Sequence, residues 1–378
     1  MTRKKQINRR YLILAVFVFI TNIFAVEKSN IVADFKKNIL LADSPVTKII
    51  PNLAQGTFIV IGENHTEFSN HAKELELIEA FFEKNKKMAV GMEMLCRCHQ
   101  TAIDDYLNSR ISEMEFLKHT EYFSEWGYDY QFYKAIVDFA KKNKIALIGL
   151  NIKNEIVRNI GYRGLTGISS AEFQEIPDQI DFSNEAYKRS LGDIFLQHND
   201  FQLSQSGNFY FAQLIRDEYM AESAFQYFKR NPDHTLILLA GNGHVEHGFG
   251  IPDRLKRRSG KSCKTVLIDA VYEPEAADYF IYTNKMQIKK APRLNVMLTK
   301  TEGKILVTSI PGDTDKEKNP LQVEDEILSI NNVQIRSIED IRLFLYDKSA
   351  GEKTRITVIR NQKQIALDLI LVESKQDE

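Results

Sequence analysis

A chain of 378 residues exceeds the size at which a single core usually stops growing, about 250 to 300 residues, so two or three domains are expected. Its 43% hydrophobic and 27% charged residues exclude a wholly disordered chain and supply material for a large core. With 50 basic against 51 acidic residues, it lacks the basic excess that nucleic-acid binding by phosphate neutralisation needs.

The N-terminus opens with "MTRKKQINRR", five basic and no acidic residues, and runs into "YLILAVFVFITNIFAV", sixteen residues without a charge. This predicts a secretory leader over residues 1–25. The apolar run is shorter than the roughly 20 residues of a spanning helix, and a tilted, uncleaved anchor is the alternative. Ala25 suits a cleavage site and Ile23 suits it poorly; no neighbouring cysteine offers a lipid anchor. Without the leader, 45 basic residues face 51 acids. The expected location is the periplasm or the outer side of the inner membrane, not the cytoplasm, and nucleic acid is not an expected partner.

Five short apolar runs follow: "TFIVIG", "KMAVGMEM", "KIALIGLN", "TLILLAG" and "TVLIDAV". Rich in β-branched residues and separated by helical stretches, they read as buried parallel strands. Between the first two, Leu75, Ile78 and Phe82 mark one helical face. Cys96, Cys98 and Cys263 are too few for a disulfide framework. The pair in "CRC" reads as two partly buried thiols, with a local disulfide or a soft-metal site as alternatives. The stretch from Asn151 to His234 is too long for a simple crossover and predicts a helical cap, with "GYRGLTGISSAEFQEIPDQI" as a surface loop. The fold class is thus α/β, a mostly parallel sheet with a helical cap, over residues 26–285.

The first and fourth runs both end in Gly-x-x-His, as "GENH" (Gly62 to His65) and "GNGH" (Gly241 to His244). Parallel strands deliver their exits to one edge, where open α/β sheets bind ligands. That edge would receive Glu63, Asn64 and His65, then Glu93, Asn151, Asn242 and His244. Such residues can ligate a metal, perform acid/base chemistry or orient a cofactor. His247 is a further candidate for the crevice. His71, His99, His119, His198 and His234 read as surface or structural.

In the order "GENH", "GMEM", "EWGYDYQFY", "LIGLN", "QLIRDEYMAE" and "LAGNGHVEHGFGIPDR", the segment Ser44 to Tyr272 resembles the ChaN family of haem-binding uptake proteins. That family sits within the wider Tiki, TraB and erythromycin-esterase superfamily. The resemblance implies that His65, Glu93 and His244 form the polar centre, holding haem or, alternatively, a divalent metal. In the metal case Glu63, His65, Glu93 and His244 would serve a hydrolase or protease. For haem, Trp126, Tyr128 and Tyr130 are candidate walls, although the stripe they share with Tyr122 and Tyr133 reads more readily as core. Tyr162 is a candidate axial ligand. Arg216, beside Asp217 and Glu218, could meet a propionate.

From Arg293 onward the chain resembles a bacterial PDZ domain, small and β-rich, over residues 290–375. The turn "PGD", the stretch "VEDEILSINN" and a helix opening at Ser337 or Ile338 carry this resemblance. It implies an extended peptide or protein C-terminus added as a strand, with its carboxylate received by Arg293, Leu294, Asn295 and Val296. Asn295 stands where glycine is usual. A domain that merely covers its neighbour is the alternative. The expected function is an exported haem-binding protein for haem or iron uptake or trafficking, with a peptide-docking module. Metal-dependent hydrolysis is the alternative, and the sequence leaves homo-oligomerisation open.

Overall fold

A computed structural model describes residues 38–197, 206–312 and 314–373. The expected leader and His198 lie outside the described residues. The first domain is built on a seven-stranded sheet: β1 (Ile39–Leu40), β2 (Phe58–Glu63), β3 (Met88–Cys96), β4 (Ala146–Asn151), β5 (Thr235–Gly241), β6 (Cys263–Ile268) and β7 (Tyr279–Ile281). Its order is β1-β7-β6-β2-β5-β3-β4, and every pairing is parallel. The five apolar runs are β2 to β6, with β4 at one edge of the sheet. The remaining two, β1 and β7, have two and three residues, too few for a periodic signal.

Helices α1 (Phe68–Lys84), α2 (Lys134–Asn143), α3 (Asn154–Arg163), α4 (Glu185–Gln197), α5 (Ser206–Arg230) and α6 (Ile251–Ser259) accompany the sheet. Along β2, Ile59 and Ile61 join a core with residues of α1 and α2, whereas Phe58 and Val60 join a second core with residues of α5 and α6. A strand buried on both faces reads as an unbroken apolar run because neither face meets water.

On α1 the expected stripe is displaced. Leu77, Ile78 and Phe81 are buried together with His71 and Glu74, while Leu75 and Phe82 are only partly buried. The helix is turned so that two polar residues point inward. Their partner is Glu63 at the end of β2.

Between β4 and β5, α3 and α5 pack on each other through Ile156, Ile160, Ala212 and Ile215. The expected surface loop contains the end of α3 and a short helix, Ser170–Phe173. Ser169 opens that helix by accepting from the Glu172 N–H while Glu172 accepts from the Ser169 N–H, a reciprocal cap that satisfies two otherwise orphaned donors. Cys96 and Cys98 form a disulfide, which corrects the expectation of two thiols. The chain turns from β3 into the helical turn Arg97–His99, bringing the two Cα atoms to 5.2 Å.

The second domain is an antiparallel sheet of β8 (Met297–Thr301), β9 (Lys304–Ser309), β10 (Glu326–Ile330), β11 (Val333–Gln334), β12 (Lys353–Arg360) and β13 (Lys363–Ile370), with helix α7 (Ile338–Leu345). Its order is β13-β12-β10-β9-β8, with β11 beside β10. Ser337 caps α7 by the same reciprocal device, with Asp340. Asn295 has φ of +55°, a left-handed conformation that asparagine tolerates better than most residues. Its side-chain amide donates to Thr314 Oγ1 at 3.0 Å, so the loop keeps the shape a glycine would allow. Leu294 turns into the domain core, Arg293 is exposed and Val296 is half-buried. No helix of the described residues is long and apolar enough to cross a membrane.

Candidate functional site

Strands β2 and β5 are neighbours, with Glu63 opposite Gly241. The two Gly-x-x-His exits therefore emerge side by side at the carboxyl edge of the sheet. A Cβ on Gly241 would lie 2.8 Å from both Cε1 and Nε2 of His65, and one on Gly62 would lie 2.6 Å from Asn242 Oδ1. Close approach, not a special φ, explains these two glycines.

Glu93 is delivered by a break in pairing. The ladder between β3 and β5 stops at Met92, and the register with β4 shifts between Met92 and Cys96. Freed from the regular ladder, the Glu93 carboxylate accepts from the Gly241 N–H at 2.8 Å and lies 3.3 Å from His244 Nε2. Arg216 approaches it at 3.9 Å and also donates to Asn154 Oδ1. Asn151 donates to the Glu93 main-chain carbonyl at 3.1 Å.

Each histidine is held at Nδ1 by a buried carboxylate. His65 Nδ1 is 2.6 Å from Glu63 Oε1, and His244 Nδ1 is 2.6 Å from Asp217 Oδ1. Behind His65, Glu63 Oε2 is 2.7 Å from His71 Nδ1, and Tyr133 donates to Oε1 at 2.8 Å. His71 also lies 3.2 Å from Glu74. Behind His244, Asp217 accepts from the Tyr187 hydroxyl at 2.6 Å. A carboxylate on Nδ1 fixes ring orientation and biases Nε2 toward the outer side, as partners behind metal-bound histidines do.

These contacts set the charges. Burial alone would raise Glu63, but the His71 charge and the hydrogen bonds from His65 and His71 lower it to about 2. Burial opposes charge on His71, yet Glu63 and Glu74 raise it to about 10. Glu74, pushed up by burial and by the Glu63 charge, reaches about 8. His244 is raised to about 10: burial works against its charge, and Glu93 and Asp217 outweigh burial. Burial would raise Glu93 as well, but His244 holds it well below the usual carboxylate range.

The aromatic stretch divides. Trp126 and Tyr128 flank His65, with ring centroids 4.7 and 5.5 Å from the imidazole. Tyr130 does not reach the site: at 1% exposure it packs against Tyr122 and Phe116 in the core, as Tyr133 and Tyr122 are core residues too. Tyr162 is 46% exposed on α3. His247 pairs with Glu273 at 3.3 Å and stacks on Phe249. Glu218 is bound by Arg254, Arg257 and Arg258, which ties α5 to α6. Sequence reasoning gave no site role to His71, read as surface or structural, to Asp217, named only beside Arg216, or to Glu74 and Gln213; the Gln213 side-chain amide lies 3.2 Å from His244 Nε2. Gln213 and Asp217, four residues apart on α5, share one helical face, which is the signal that could have paired them.

Among the described residues, the donor sets that converge within 4.8 Å are Cys96 with Cys98 and His99, Glu63 with His71 and Glu74, and His99 with Glu121 and Glu125. His65, Glu93 and His244 are not one of these sets. Their donor types suit a divalent ion, but Glu93 is engaged by His244 and Gly241.

A family profile described as haem-binding uptake, Tiki superfamily, ChaN, matches residues 49–255, and a PDZ-domain profile matches residues 292–371. Among solved structures, one of ChaN from Campylobacter jejuni with cofacially bound haem is similar in fold. It is 20% identical, with a TM-score of 0.50, over 62% of this chain and 90% of that one. An erythromycin esterase, EreC, in its open conformation is 15% identical, with a TM-score of 0.37, over 71% of this chain and 80% of that one. An HtrA-type protease, AlgW, with a decapeptide is 17% identical, with a TM-score of 0.22, over 23% of this chain and 30% of that one. No curated protein matches. With more than half of its length matched, the chain belongs to the ChaN family of haem-binding uptake proteins in the Tiki superfamily, and it carries a PDZ domain after that segment.

Proposed function

We propose that this is an exported protein that binds iron porphyrin for haem uptake or trafficking, with its PDZ domain docking a peptide of a partner. The observation that carries the reading is His65. Its ring is anchored at Nδ1 by Glu63 and flanked by Trp126 and Tyr128. An imidazole with its tautomer set is a competent iron ligand, and aromatic faces suit a flat macrocycle. Arg216, near Glu93, is the candidate partner of a propionate, and Tyr162 is the candidate phenolate ligand. Export rests on the basic and apolar N-terminus; recovery of the mature chain only from cytosol would overturn it.

Titration with ferric haem should give a saturable Soret change of defined stoichiometry. His65→Ala should weaken binding or alter the spectrum. Gly241→Ala should act in the same direction, by about tenfold in Kd, the equivalent of 1.4 kcal/mol, because its methyl group would occupy the space of the His65 ring. Unfolding of that variant should stay close to the parent.

Metal-dependent hydrolysis by Glu63, His65, Glu93 and His244 is favoured by one observation, the carboxylate behind each imidazole. The engagement of Glu93 by His244 and Gly241 weighs against it. Tight Zn²⁺ uptake without haem binding, and peptide or ester cleavage lost in Glu93→Gln, would establish that reading instead.

A further inference from the structure

A cleft of about 930 Å³ lies between the two domains. One wall is formed by Met297 and Leu298 of β8 and by Ile338 and Ile341 of α7. β8 pairs only with β9, so among the described residues its outer edge is open to strand addition. The facing wall belongs to the first domain and includes Phe68, Tyr128 and Phe132.

The first-domain wall is fastened to the second domain at three points. Arg342 of α7 donates to the Gly127 carbonyl at 2.7 Å, and the Ala291 N–H donates to Asp129 at 2.8 Å. Gln131 donates to the Tyr346 carbonyl at 3.3 Å, and Tyr346 is buried in the first domain's core. These bonds hold residues 127–131. The same segment, one residue earlier, presents Trp126 and then Tyr128 to His65.

The lining is cationic. Lys285, Lys290 and Arg293 border the cleft beside Arg342, against Glu67 and Asp129. Arg342 is engaged by Gly127, while Asp129 is occupied by the main-chain N–H groups of Gln131 and Ala291. Three basic side chains then face one acidic side chain.

We propose that the peptide docked along β8 is an extended acidic segment gripped by both domains, and that its binding is linked to the His65 site through residues 126–131. This rests on the reading of the PDZ domain as a peptide-docking module. A strand laid on β8 has the first domain as its outer wall, so its side chains meet Phe68 and Tyr128 as well as α7. Any displacement of Tyr128 is felt at His65. By linkage, a ligand at His65 alters peptide affinity by the same factor as the peptide alters that ligand's affinity.

Trp126 is the chain's single tryptophan, so its emission reports the linking segment without any haem present. The probe is a pool of peptides about eight residues long, spanning more than the length of β8, alternating hydrophobic and glutamate residues, with a lysine-for-glutamate pool as control. On the full chain, the acidic pool should bind saturably by anisotropy, with a Trp126 emission change of the same midpoint. The lysine pool should bind at least about tenfold more weakly, within the usual range of coupling and charge effects. Phe68→Ser, more than 200 residues from the second domain's profile match, should weaken acidic-pool binding about tenfold. Lys290→Glu, which leaves the packing of Phe68 intact, should do likewise. Binding without an emission change, or with both variants equal to the parent, overturns the two-domain grip; equal binding of the two pools, or of neither, overturns the acidic occupant. Since haem is absent from these measurements, failure of the haem reading in its own titration leaves their outcome separate.

Discussion

Glu63→Ala is expected to destabilise the protein by about 3–5 kcal/mol, the range for removing one partner of a buried ion pair. Glu63 accepts from His65 and Tyr133 and pairs with His71, and neither carboxylate nor His71 side chain is more than 2% exposed. Removing it strands the His71 charge. Glu74 is the one nearby group able to respond: raised to about 8 by burial and by Glu63, it should ionise once Glu63 is gone and take over as the partner of His71. The combined Glu63→Ala, Glu74→Gln variant should therefore lose more than the two single losses added, a coupling that urea unfolding of the four proteins would measure. The pH dependence has a definite sign. Glu63, lowered from 4.5 to about 2, stabilises fully above 4.5 and loses that contribution as pH falls through about 2. His71, raised from 6.5 to about 10, stabilises fully below 6.5 and loses it as pH rises through about 10. The acid limb should flatten in Glu63→Ala, whereas the basic limb should flatten only in the double variant, which leaves His71 with neither carboxylate. A variant within about 1 kcal/mol of the parent, an ordinary surface-like effect, with the same acid limb, would show that the cluster does not hold this edge.

What was legible in the sequence was local. Glycine and histidine at the ends of β2 and β5 announce themselves, because a glycine closing an apolar strand has few structural reasons other than turning or close approach. Glu93 stands out as a carboxylate in an apolar run. The parallel sheet follows from short strands alternating with helices, and the second domain from its turn and strand pattern. His71, Glu74 and Asp217 were not legible, because a polar residue on a helix looks solvent-facing until its partner is known. Glu63 and His244, the partners of His71 and Asp217, lie on other elements, and the apolar stripe of α1 is rotated to accommodate His71 and Glu74. The Cys96–Cys98 bond depends on a main-chain turn that spacing does not specify. The bonds from Gly127, Asp129 and Gln131 to the second domain connect residues more than 150 positions apart, beyond the reach of any periodicity.

His244→Ala should separate the two histidines that the sequence treats alike. His244 lies between Glu93 and Asp217 and, raised to about 10, is an imidazolium at neutral pH. A ligand that takes its Nε2 must first displace that proton, at about 1.4 kcal/mol per pH unit below 10, or about 4 kcal/mol at pH 7. On the proposed haem reading, that cost favours His65, or a tyrosine, over His244 as the iron ligand, and leaves His244 as the cation that holds Glu93 against the Gly241 N–H. His244→Ala is then expected to lose about 3–5 kcal/mol of stability by removing the shared cation of two buried carboxylates, leaving Glu93 with Arg216 at 3.9 Å and Asp217 with the Tyr187 hydroxyl. The loss should be complete below pH 6.5 and should fade as pH rises through about 10, where the parent itself gives up the proton. The Soret position of the haem-loaded protein should stay where the parent has it, whereas His65→Ala should move it or abolish binding. If His244 were the ligand, haem affinity would climb about tenfold per pH unit toward 10, and that slope would vanish together with the parent spectrum in His244→Ala. Haem titrations of the parent and both variants at pH 6, 7, 8 and 9 decide between the two, and a vanished slope would hand the iron to His244.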